Sequence, residues 1–447
     1  MLKRLGGILA CLCMTLLFGS CIFDYPSEIE DGGGSLTDKN RVVLQINVKS
    51  LTASDSERPT EKIKSLRVVI VGRGEGETPD SIECNRLLDI PDVKAEGYSY
   101  IVMWSSKPGE KDIYVLGNEE SMGDGLTDIL DGYAEKTEAG DFATAIGEYT
   151  FSPEYTPDAS GNIYLPYSYS YEGIQPKTGV VNTINAWLVP VATKFIFNFV
   201  NNRTYPVKVN GISMSYANRL SYLLARPGED EIFKEYNKQQ LYWVDWLAEI
   251  SKNSWNYPGY AGNEEYNGTV GWISDYSVPD PDDREVFYFV KEDSADIFEV
   301  PGATELEGDG ADTGESDGNE HVAGKYSTPV YYLPESVNYT PLGADLTGQN
   351  ADQDSGNGSG LLDEQRFYLT ILLEDTGGST APIFEDIAIP NLKALFRNTY
   401  VIINMTMSEG DIEVYAEIAP WNRKKANGWL NEGQAPSNNP FRIRKKW

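Results

Sequence analysis

The stretch from Asn40 to Gly72, NRVVLQINVKSLTASDSERPTEKIKSLRVVIVG, decides how the chain folds. In its first run Val42, Leu44, Ile46 and Val48 fall on one side of an extended backbone, and Val43, Gln45 and Asn47 fall on the other. The run LRVVIVG alternates in the same way, with Leu66, Val68 and Ile70 opposed to Arg67, Val69 and Val71. A period of two in β-branched residues predicts strands, because a branched side chain packs well on a pleated surface. Between the runs lies a polar loop whose single arginine is Arg58.

The same signal continues outward. YSYIVMW (98–104) and KDIYVLGN (111–118) read as strands, and the glycines of VGRGEGE (71–77) read as a hairpin turn. Met122, Leu126, Ile129, Leu130 and Tyr133 recur at helical spacing and predict one amphipathic helix. FSPEYTPDASGNIYLPYSYSYEG is too rich in Pro, Gly and Tyr for a long helix. A second β-rich region opens near Val180, and TKFIFNFVNN lines up Phe195, Phe197 and Phe199. Residues 231–250 read as the other helix. VFYFV (286–290), PVYYLP (329–334) and RFYLTILLE (366–374) read as strands. NTYVIINMTMSEGDIEVYAEIAPW reads as a hairpin turning at SEGD. The Gly/Asp-rich segments 303–320 and 343–360 lack apolar periodicity and read as acidic loops.

Upstream of the first strand, Lys3 and Arg4 precede the apolar run LGGILACLCMTLLFG, which is too short to span a bilayer comfortably. LFGSC then sets Gly19 and Ser20 before Cys21, the shape of a bacterial lipoprotein signal cut ahead of an acylated cysteine. This makes residues 1–20 a signal peptide and 21–40 a lipidated linker. With Cys11 and Cys13 removed and Cys21 acylated, Cys84 has no cysteine left to pair with, so a disulfide or thiolate metal site is excluded and a small buried hydrophobe is expected.

The formal charge of −31 argues against nucleic acid as a partner, since a polyanion requires Lys and Arg opposite it. One histidine, His321, leaves no room for a multi-His metal site or for catalysis built on histidine. No P-loop, nucleophile elbow or metalloprotease helix is present. With 68 acidic residues a suggestive carboxylate pair arises by chance, so the expectation is no enzyme, no cofactor and no metal. Asp352, Asp354 and Asp363 are spaced as in a calcium loop. However, Asn357 and Asp363 stand where an EF-hand needs Gly and a bidentate Glu, so 343–360 reads as a solvated loop.

In their order these elements resemble the fimbrillins, subunits and anchors of the type V pilus of Gram-negative anaerobes, from about Arg41 to Trp429. The resemblance is carried by the lipobox cysteine, a short spacer, the strand VVLQINVKS and the loop DSERPTEK. It continues through IKSLRVVIVGRGEG, KDIYVLGNEES, WLVPVATKFIFNFV and IPNLKALFRNTYVIINMTMSEG, the last with Arg397, Asn398 and Tyr400 on matching positions, and ends at IEVYAEIAPW. It implies a mainly β chain of two tandem β-sandwich domains, transthyretin-like with Greek-key connections and one or two short helices. Their bounds would be 41–182 and 183–421, with 422–447 as a C-terminal tail and candidate donor strand.

The resemblance also implies a mechanism. A trypsin-like protease cuts the loop after an arginine, the first strand (Val42, Leu44, Ile46, Val48) leaves with the lipid on Cys21, and a strand of a neighbouring subunit fills the groove by β-augmentation. Implied partners are other fimbrial subunits, the outer membrane through that lipid, and a host or bacterial adhesion target. By position the scissile residue is Arg58, but Pro59 follows it, and proline lacks the N–H and free φ that a protease requires. Arg41 is the alternative, and cutting there would leave VVLQINV in place. Three readings stay open: a polymerising subunit, an uncleaved outer-membrane anchor, and a monomeric glycan- or protein-binding surface lipoprotein using some of its 9 Trp and 28 Tyr.

Overall fold

The computed structural model describes residues 23–24, 41–50, 61, 63–89, 99–123, 125–153, 155, 164–226, 277–279, 284–305, 321–337, 367–375, 387–389, 394–409, 411–420 and 443–446. Its chain divides into two compact units. The first is built from β1 (Phe23–Asp24), β2 (Val42–Ser50), β3 (Ser65–Gly72), β4 (Ser81–Asp89), β5 (Ser99–Ser106) and β6 (Lys111–Gly117). It is completed by helices α1 (Leu126–Asp131) and α2 (Phe142–Glu148) and, beyond β7 (Thr150–Phe151), which belongs to the second unit, by β8 (Tyr167–Ile174) and β9 (Val181–Pro190). The division falls between Pro190 and Val191 rather than at 182/183, because β9 runs through the expected boundary as one strand of the first unit.

The strand order is β1-β5-β2-β9-β8-β6-β3-β4. β9 joins two layers: its residues 181–188 pair with β2, while Val189 and Pro190 pair with β8. The path curls over, since Arg86 on β4 stacks its guanidinium over the Trp104 ring of β5 at 4.8 Å. Alternation in LRVVIVG predicts one apolar face, yet every residue of β3 and β6 is buried. The second face lies under the helices, where Phe142 of α2 meets Tyr114 of β6 edge-on at 5.2 Å. Arg67 accordingly lies buried, with Nε and Nη2 donating to Glu119 at 2.6 and 2.8 Å and Nη2 also to Asp131 at 2.8 Å.

The helix expected over 122–133 is shorter than its pattern. Residues 119–121 form a 3-10 turn and α1 follows with Leu126 and Leu130 buried, while Ile129 stays 36% exposed. The 231–250 helix lies outside the described residues, and α2 is a seven-residue helix that no sequence pattern announced. The β3–β4 turn is as read. Gly74 donates its N–H to Asp80 Oδ1 at 2.9 Å, and a Cβ there would stand 1.8 Å from the Thr78 carbonyl oxygen, so only glycine fits. Cys84 is buried, its Sγ 3.7 Å from the Val68 carbonyl.

The second unit is a sandwich of two sheets. One contains β10 (Thr193–Asn201), and the other contains β11 (Val207–Asn218), which is followed by β12 (Ser221–Tyr222), β13 (Arg284–Val290) and β14 (Phe298–Val300). Then come β15 (Thr304–Glu305), β16 (His321–Val322), β17 (Gly324–Ser327), β18 (Tyr331–Leu333) and β19 (Ser336–Val337). The unit closes with β20 (Phe367–Asp375), β21 (Ile387–Ile389), β22 (Ala394–Leu395), β23 (Thr399–Ser408), β24 (Asp411–Pro420) and β25 (Ile443–Lys446). Order β17-β10-β23-β24-β25, with β18 also on β10, faces order β13-β11-β20-β21, with β14 on β11. Pairs β7–β12, β15–β16 and β19–β22 are two residues long.

Phe195, Phe197, Val401, Ile403, Val209 and Ile371 belong to one core between these sheets. The expected hairpin is present in full register from Thr399↔Pro420 to Ser408↔Asp411. Arg397 precedes it as a staple. Its backbone N–H donates to Glu335 Oε1 at 2.9 Å, and its guanidinium donates to the Tyr222 and Leu223 carbonyls at 3.0 and 3.2 Å and to Glu335 Oε2. Burial of the Tyr331 ring pushes its hydroxyl pKa up to about 12. The chain is thus mainly β, with two sandwich units in tandem.

Candidate assembly site: the first strand and its groove

β2 lies inside its sheet, not at an edge. Residues 42–49 pair antiparallel with β5, from Val42↔Ser106 to Lys49↔Ser99. Residues 43–50 pair parallel with β9, from Val43↔Val181 to Ser50↔Leu188. Val42, Leu44, Ile46 and Val48 are each 0% exposed, so the alternation read from the sequence marks the face that meets the core. The opposite row is amide-rich: Gln45 Nε2 donates to Asn47 Oδ1 at 3.0 Å, and Asn47 Nδ2 donates to Asn185 Oδ1 at 3.1 Å.

Both ends of the strand are fixed. Before it, exposed Arg41 accepts through its carbonyl from Gly179 N–H at 3.2 Å, and Asn182 Nδ2 donates to the Val43 carbonyl at 3.3 Å. Beside Val42, Ser106 donates its hydroxyl to Glu83, which also takes Lys111 Nζ at 2.8 Å. After the strand, Glu61 is tied down through its carbonyl by the Tyr167 hydroxyl at 3.0 Å. Just beyond, Asn118 in the left-handed region (φ 57) accepts Lys64 N–H at 2.6 Å and donates to the Leu165 carbonyl at 2.7 Å. Chain downstream of residue 60 is therefore held by bonds that do not involve β2.

Of the site residues expected from sequence, the four aliphatic residues are brought together as one row, and Arg41 sits at its head. Cys21 and Arg58 lie outside the described residues, as do residues 343–360 and most of the tail. Among the described residues no group of three or more His, Cys, Asp or Glu is placed to hold a metal ion, and no helix is long and apolar enough to cross a membrane.

Two features escaped the sequence reading. First, among the described residues β5 pairs with only β1 and β2. A strand lifted out together with the segment preceding it would leave β5 without a ladder partner and β9 held to its sheet only through Val189 and Pro190. Second, a charged cluster sits beside the hairpin turn. Asp112 is buried and accepts Gly173 N–H at 2.9 Å, and burial raises its carboxyl above the usual range even though Arg73 pairs with it. Asp80, held by the Gly74 N–H and by Arg73 at 2.8 Å, lies below the usual range.

The magnitudes make β2 a large contributor to the first unit. Burying four aliphatic side chains contributes about 1.5–3 kcal/mol apiece. Ladder bonds on both sides add about 1 kcal/mol each. These are gross contributions, offset in part by about 1–2 kcal/mol of chain entropy for each ordered residue. A unit that lost β2 would have to find a replacement or open.

The chain is similar to solved fimbrial proteins. The tip fimbrial protein Mfa3 from Porphyromonas gingivalis, solved with a C-terminal truncation, is 14% identical, with a TM-score of 0.41, covering 85% of this chain and 100% of that one. A fimbrial assembly protein from Parabacteroides distasonis is 8% identical, with a TM-score of 0.36, covering 85% of this chain and 98% of that one. No protein-family model and no curated protein matches the sequence.

Proposed function

We propose that the protein is a structural subunit of a cell-surface fimbrium, exported through the periplasm as a lipoprotein acylated on Cys21 and contributing to adhesion. Its first strand leaves after proteolysis in the 51–60 loop, and a strand of a neighbouring fimbrial subunit takes its place. One observation carries this reading: a strand with four fully buried aliphatic residues sits between β5 and β9, and the ten residues that follow it in the sequence, 51–60, are mostly polar and include Arg58. Such an insert can be exchanged, since its ladder bonds and pockets are satisfied equally well by any chain of matching pattern. Arg41 is the poorer cleavage point, because β2 would stay behind in its groove.

Pro59 favours a second reading, in which the loop stays intact and the lipid-bearing chain anchors the fimbrium in the outer membrane. N-terminal analysis of protein extracted from the cell surface separates the two. A mature chain beginning at Pro59 identifies a processed subunit. A blocked, acylated Cys21 identifies an anchor, and a chain beginning at Val42 refutes both.

A further inference from the structure

The groove that β2 fills has a chemistry that the C-terminal tail of this chain does not match. An occupant must run parallel to β9 and antiparallel to β5, and it must set four apolar side chains in the places of Val42, Leu44, Ile46 and Val48. Residues 422–447 offer no such row. Their best register places Phe441, Ile443, Lys445 and Trp447 there. Lys445 would then stand where Ile46 lies, fully buried and in register with Val102 and Ile184. An ammonium withdrawn from water without an acceptor is strongly disfavoured. Shifting by two residues brings Asn439 into the row and keeps Lys445, and every window further upstream includes Gly, Asn, Ser or a charged residue. The end of the tail is also engaged elsewhere, because β25 pairs with β24 from Val414↔Ile443 to Asp411↔Lys446.

We propose that the vacated β5–β9 groove accepts an extended segment from a different polypeptide, one with four aliphatic residues at alternate positions, and rejects the tail of a second copy of this chain. This rests on the reading of β2 as an exchangeable strand. A joint made at this groove through a C-terminal tail is therefore heterotypic, so a tail-to-groove filament of this chain alone is not formed. Direction and register follow from β2: the incoming chain matches Ile184 with the third of its four apolar residues, and a polar residue after it can meet Asn185 as Asn47 does.

The test uses the full-length chain with a site-specific protease sequence inserted after Ser56. After cutting, three fluorescent peptides are exchanged in mild urea against the resident fragment: NRVVLQINVKS, its Ile46→Lys form, and PSNNPFRIRKKW. Uptake is read by anisotropy. The expected result is entry of the first peptide, with the other two at least ~100-fold weaker. If the tail peptide enters within about threefold of the first, or the Ile46→Lys peptide does so, the heterotypic inference is overturned while the exchangeable strand stands. If none enters, the exchangeable strand itself is refuted and the inference with it.

Discussion

Replacing Ile46 with alanine tests the energetic core of the argument. Ile46 is 0% exposed, and its backbone is paired with Val102 on one side and Ile184 on the other. Truncation removes three carbons from a site whose neighbours are held by ladders on both sides, so little collapse can occur. The expected loss is about 2–5 kcal/mol, against about 5–15 kcal/mol for a whole domain. Urea unfolding of the full chain, followed by far-ultraviolet circular dichroism, should show the first unit's transition moved to lower urea with the second unit's unchanged, because each is a compact unit of its own. Gln45→Ala is the control: its side chain lies on the opposite row and bonds Asn47, so its loss is expected below about 1 kcal/mol. Equal effects of the two substitutions, or no movement with Ile46→Ala, would refute the claim that this row fills the groove.

Other consequences follow from the same geometry. Pro59→Ala restores an N–H and a free φ after Arg58, so cleavage there by a trypsin-like protease should accelerate at least ~10-fold, as read by mass spectrometry of the released fragment; an unchanged rate would remove proline as the obstacle. Arg397→Met takes the guanidinium away from Glu335 Oε2 and from the Tyr222 and Leu223 carbonyls inside the second unit and should cost about 3–5 kcal/mol in urea unfolding. Arg397→Lys should not restore it, because an ammonium cannot reach the Glu335 carboxylate and two carbonyls together, and full rescue would disprove the staple. Asp80 is held below its usual carboxylate range by the Gly74 N–H and by Arg73, so its contribution is present above the unfolded value of 3.8 and disappears as pH falls through the lower folded value. The stability gap between wild type and Asp80→Ala should therefore be widest near neutrality and close in acid, and a gap independent of pH would contradict the bonding seen.

The elements set by local pattern were legible in advance. The alternation of 42–48 announced both the strand and its buried face, and SEGD announced the hairpin that runs from Thr399 to Pro420. Gly74 and Gly76 announced the β3–β4 turn, since a turn is a property of a few consecutive dihedrals. No local pattern marked Arg67 or Arg397 as buried, and both are, because the acids that receive them stand 52 and 62 residues away in the chain. For the same reason β9 was split by the expected boundary at 182/183: its strand character is local, but its membership of the first unit comes from pairing with β2.

Residue order by itself determined that this is a mainly β chain with an apolar stave near its start and a polar, Arg58-bearing stretch behind it. Only the tertiary structure decided that the stave is a central strand, that among the described residues β5 pairs with β1 and β2 alone, and that the occupant of its place must lie parallel to β9. Periodicity reports which face of a segment avoids water. The partners across that face are chosen by long-range packing, as with Asn47 and Asn185, 138 positions apart, and a single strand carries no record of them.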